Sequence, residues 1–138
     1  YFPEYREEIV DYAVQKKDIV DQAILLWNII YSTALKYKEN HPDWLFLRHE
    51  DLSVNPLQEF RRIYNFLGLE LDKKVMNKIK ETTSSQNKKE TTSVNTINVD
   101  SRENIKSWKN RLTNQEIEKV KKGTSPVWGN FYLEKDWK

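Results

Sequence analysis

The sequence predicts an α/β chain that supplies mostly helices and one core strand. Three observations carry that expectation. Apolar residues recur at intervals of three and four across 18–39 and again across 56–67, the period of an amphipathic helix. Trp44-Leu45-Phe46-Leu47 places four apolar residues in a row. A strand with one wet face alternates, so this run reads as a strand covered on both faces, as in a parallel sheet. Proline and glycine fall at the ends of these segments, at Pro42, Pro56, Gly68 and Gly123.

Taken in order, 4–16 is a helix opened by Pro3, with Ile9, Val10, Ala13 and Val14 as its apolar residues. Asp18 caps the helix of 18–39. There the run Ala23 to Trp27 suggests burial on more than one side. His41-Pro42 breaks it, and the strand follows over 44–49. A single central strand cannot cover itself. Its sheet comes from elsewhere, or the segment is not a strand. Asn55-Pro56 opens the next helix, with Asn as cap and Pro in the first turn, and Gly68 ends it. Residues 72–81 form another helix with Val75, Met76 and Ile79 inward. The stretch 81–101 is rich in Thr, Ser, Asn and Lys and reads as a mobile loop. A short helical segment over 102–112 carries Ile105, Trp108 and Leu112. Thr113-Asn114-Gln115-Glu116 spells a capping box for a last helix ending at Gly123, and the aromatic tail 124–138 is expected to pack back.

Composition excludes several functions. The chain has 138 residues, enough for one domain with a modest core. Its 23 Lys and Arg against 21 Asp and Glu leave a net charge of +2, too balanced for a nucleic-acid-binding coat. No membrane-spanning run and no signal peptide are visible. The absence of cysteine removes disulfides and thiol chemistry and favours a reducing cytoplasm. His41 and His49 are the only histidines, so no metal site is expected. Gly68, Gly123 and Gly129 cannot write a phosphate-cradling glycine loop. The chain begins at Tyr1, which reads as a cut from something longer.

The ordered set Trp44-Leu45-Phe46-Leu47-Arg48-His49-Glu50-Asp51-Leu52, then Asn55-Pro56, then Phe66-Leu67-Gly68-Leu69 resembles the sulfotransferase family. Members carry a hydrophobic strand entering a Tyr-Glu-Asp-Leu type sequence, an Asn-Pro helix start and a Phe-Leu-Gly helix end. The resemblance continues through Thr82-Thr83-Ser84, Arg102 and Trp108-Lys109-Asn110-Arg111-Leu112-Thr113 to Phe131-Tyr132. It covers the C-terminal half of a family domain.

That resemblance implies a P-loop-kinase-like three-layer fold. It also implies transfer of a sulfuryl group from 3′-phosphoadenosine 5′-phosphosulfate (PAPS) to a hydroxyl or amine acceptor, a small molecule or a glycan. The family's 5′-phosphosulfate loop and catalytic base lie in the N-terminal half. This chain therefore holds no catalytic residue, and an N-terminal half, on the same or another polypeptide, is an expected partner. Arg102 resembles the basic residue that holds the 3′-phosphate, and a guanidinium suits that work as a permanent, planar charge. On the residues alone it is an arginine on a solvated helix face. Ser101 is placed to donate to the same phosphate, while Glu103 and Ser107 depart from the family's Gly and Asp. Thr83 and Ser84 fall where the family approaches the adenine, with Ser85 in place of an aromatic residue. They read equally as a polar helix end. His49 takes the family's Tyr position beside the adenine, although a lone histidine at a strand end is usually structural.

Other features have simpler readings. Glu50 and Asp51, adjacent at a strand end, point to opposite faces and make a poor acid–base pair. Lys109, Thr113 and Glu118 match the family's short dimerisation motif, but Asn114 replaces its Val, which leaves at most a weak homodimer. The alternative to an enzyme is a non-catalytic helical interaction module derived from the same fold.

Overall fold

The computed structural model describes residues 2–89 and 97–137. In chain order its helices are α1 (Arg6–Val14), α2 (Ile19–Asn40), α3 (His49–Val54), α4 (Pro56–Phe66), α5 (Lys73–Thr82), α6 (Ser101–Asn104), α7 (Asn114–Gly123) and α8 (Ser125–Trp128). Short 3₁₀ turns cover Pro3–Tyr5, Ser107–Asn110 and Glu134–Trp137. The chain divides into two compact units, one built from residues up to Trp44 and from Leu112 onward, the other from Leu45–Arg111.

In the first unit, α2 is the organising element. Asp18 accepts from the amide of Val20, and its carboxylate meets Lys119, which also pairs with Asp21. Val20, Leu25 and Val127 are buried. Gly123 lies so near α2 that a Cβ built on it would stand 2.8 Å from Cγ2 of Ile24. Its carbonyl accepts from the Asn28 side chain at 3.0 Å. Trp27 stacks on Tyr31 with ring centres 4.0 Å apart, and Phe131 meets Tyr31 edge-on at 5.2 Å. The capping box at Thr113 and Glu116 forms as its spacing predicts. The run Ala23 to Trp27 is not buried all round. Only Leu25 is fully covered, and Leu26 is 58% exposed. With Ile19 and Ile30, also exposed, Leu26 forms an apolar stripe on α2 that continues to Tyr37, whose half-exposed ring meets His41 and Trp44.

In the second unit, the core strand expected over 44–49 does not form. Residues 45–48 have no helical or strand assignment, Arg48 is extended (φ −90°, ψ 142°), and the chain turns into α3 at His49. Among the described residues the one β-type pairing is an isolated parallel bridge between Lys88 and Val99. A strand is stabilised by a neighbour's amides and carbonyls, and no neighbouring strand exists among those residues. The apolar run reports a need for cover, which Leu45, Phe46 and Leu47 meet only by half. Glu50 and Asp51 therefore sit in the first turn of a helix rather than at a strand end, where negative charge favours the exposed amides. Arg48 grips Asp51 with a two-pronged contact, Nε to Oδ2 at 2.9 Å and Nη2 to Oδ1 at 2.6 Å.

Asn55 precedes α4 as expected, but it caps through its backbone carbonyl, which accepts from Gln58 and Glu59, and not through its side chain. Gly68 takes φ +67° and ends that helix, the one positive-φ position among the described residues. Asp72 caps α5 by accepting from Val75 at 2.8 Å, and Ile79 on α5 is buried. The loop expected over 81–101 lies partly at 90–96, outside the described residues. Its described ends are tied: Val99 donates to the Thr82 carbonyl, and Asp100 donates to that of Lys88.

Candidate functional site

The second unit brings four of the five sequence-predicted site residues around the start of α6. Asp100 is buried, and its carboxylate accepts from the amides of Arg102 and Glu103. Asp-x-x-Glu is a helix-start signature, so this cap was readable in the sequence and was passed over. Ser101 follows, also buried. Its hydroxyl donates to the Ser53 carbonyl at the end of α3, at 2.6 Å, and lies 3.4 Å from the Thr83 carbonyl just past α5. One hydroxyl thus joins the start of α6 to the ends of α3 and α5. A buried neutral hydrogen bond of this kind contributes about 1 kcal/mol net, and a carbonyl left without its donor costs about 1–3 kcal/mol.

Arg102 is exposed, and its Nε donates to the Val54 carbonyl at 3.1 Å. Its two terminal nitrogens have no partner among the described residues. Glu103, whose carboxylate would oppose an anion there, is engaged by Lys89 at 3.3 Å. Lys88 and Lys106, both exposed, add positive charge to the same unit.

His49 begins α3, with its Nε2 3.5 Å from the Ser53 hydroxyl one turn on. The imidazole is exposed, and Ser53 is buried. Thr83 and Ser84 are half-buried, and their hydroxyls are already engaged. Thr83 donates to the Ile79 carbonyl at 2.7 Å, and Ser84 accepts from the Gln86 amide at 3.1 Å. Ser84 is the one of the five outside the hydrogen-bonded cluster.

The site as built therefore presents a fixed guanidinium and an accessible imidazole on a frame of satisfied hydroxyls. That donor set fits a phosphate-bearing group, because a charged planar fork anchored at one nitrogen keeps its remaining N–H groups for anionic oxygens. Glu50 carries a buried Oε2 with no hydrogen-bond partner among the described residues. Among those residues no group of three or more His, Asp or Glu could hold a metal ion, and no helix is long and apolar enough to cross a membrane.

The family model for the sulfotransferase domain matches residues 2–131. Carbohydrate sulfotransferase 1 of Danio rerio is 33% identical over 84 residues, which cover 57% of this chain and 20% of that protein. The chain thus spans about a fifth of the curated relative it matches. No solved structure matches.

Proposed function

The chain belongs to the sulfotransferase family, and from that premise we propose that it is the C-terminal portion of a PAPS-dependent sulfotransferase domain. In this reading it supplies the 3′-phosphate and adenine side of the cofactor site within a P-loop-kinase-like three-layer fold. The observation that carries it is Arg102, anchored through Nε and open at its outer nitrogens among the described residues. Arg102 binds the 3′-phosphate with Ser101 beside it. His49 borders the adenine, and Thr83 and Ser84 shape that wall. When bound, PAPS supplies the activated sulfuryl group. The 5′-phosphosulfate loop and the catalytic base come from an N-terminal half. The acceptor is a carbohydrate hydroxyl, a reading supported by the name of the Danio rerio relative. The absence of cysteine favours a reducing cytoplasm as the compartment.

A second reading, a non-catalytic helical interaction module, draws on the exposed apolar stripe of α2. Calorimetric titration of this chain with adenosine 3′,5′-bisphosphate separates the two. Micromolar binding that weakens about 10- to 100-fold in Arg102→Ala, the loss of a charge-assisted contact, supports the enzyme. Absence of binding by this chain moves the interaction module ahead.

A further inference from the structure

We propose that Ser101 is a positioning residue: its buried hydroxyl fixes the start of α6 so that the Arg102 guanidinium seats on the Val54 carbonyl with its outer nitrogens free for an anion. The inference rests on the functional reading above for the identity of the anion, and on geometry for the rest. The Ser101 hydroxyl has a single proton, and it lies 2.6 Å from the Ser53 carbonyl, with the Thr83 carbonyl at 3.4 Å. A hydroxyl so engaged has no donor left for a phosphate. The Ser53 and Val54 carbonyls are neighbours at the end of α3. Ser101 holds the first and Arg102 holds the second. Adjacent residues of α6 thus dock on adjacent carbonyls of α3, and the serine contact is the buried one. Arg102 has a long flexible stem, so the ordering of its head depends on where α6 begins.

The test is a double-mutant cycle on the full chain. Affinities for adenosine 3′,5′-bisphosphate and for adenosine 5′-phosphate are measured for the wild type, Ser101→Ala, Arg102→Ala and the double variant. Ser101→Ala is expected to lower the preference for the 3′-phosphate about 10-fold, and to change nothing further once Arg102 is alanine. General damage would weaken both nucleotides alike. Independent, additive losses would make Ser101 a phosphate ligand in its own right and overturn the proposal, as would an unchanged preference.

A second readout needs no nucleotide. The Nε–H resonance of Arg102 is followed by NMR in the free chain and is expected to lose its exchange protection in Ser101→Ala. Unaltered protection overturns the proposal. Lost protection, in a chain that binds neither nucleotide or whose binding ignores Arg102→Ala, refutes the functional reading and leaves the positioning role standing. Ser101→Cys keeps the shape with a weaker donor. It gives the same direction with a smaller loss should Ser101→Ala fail to fold.

Discussion

Arg102 and Glu116 show how one side chain's neighbours decide what it can do. Arg102 spends one nitrogen on a main-chain carbonyl and keeps the rest, which is the economy an anion site requires. Glu116 commits one carboxylate oxygen to its cap: Oε2 accepts from the amide of Thr113 at 2.7 Å and from its hydroxyl at 2.8 Å. The backbone contact, then the hydroxyl, holds the Glu116 pKa below the usual carboxylate range. A group whose folded pKa is depressed stabilises the fold fully above its unfolded value, about 4.3, and loses that contribution as pH falls through the folded value. The melting temperature of Glu116→Gln should therefore lie below that of the wild type at pH 7 and converge with it as pH falls below about 4. Curves that stay parallel would remove the carboxylate from the cap. Asp100 carries the equivalent load at α6. Asp100→Ala should cost about 1 kcal/mol in urea unfolding, with Asp100→Asn close to the wild type.

At the scale of elements, α2 and α7 meet at Gly123, and the approach is set by what that residue lacks. Ile24 is β-branched, so its Cγ2 cannot swing away cheaply from an added methyl at 2.8 Å. Gly123→Ala should destabilise by about 1 kcal/mol in denaturant unfolding, the overpacking cost exceeding the gain in helix propensity. In an Ile24→Ala background most of that cost should disappear, since the three side-chain atoms nearest the new methyl all belong to Ile24. Elements of this kind were legible beforehand. The period of α2, the Asp18 cap, the capping box before α7 and the stop at Gly68 are local signals, and local signals are what a sequence writes plainly. The segment 44–49 was misread because an apolar run records burial demand and says nothing of a partner strand. The short helix α3 was missed because six residues hold too little period to recognise.

For the molecule as a whole, the candidate site was half legible. Arg102, Ser101 and Thr83 were marked only through the resemblance to the sulfotransferase family, and hydrogen bonds bring them together within the Leu45–Arg111 unit. Their division of labour was not readable. Whether a serine hydroxyl faces a ligand or a carbonyl 48 positions away depends on tertiary geometry that no local pattern encodes. The uncovered side of α2 carries a consequence of a different sort, for the colloidal behaviour of the protein. Salts excluded from protein surfaces penalise exposed apolar area, and a net charge of +2 gives copies of the chain little mutual repulsion. Ammonium sulfate should therefore drive this chain from solution at modest concentrations. Placing Lys at Leu26 and Ile30 should raise the threshold seen by light scattering, and an unmoved threshold would assign the precipitation to some other surface.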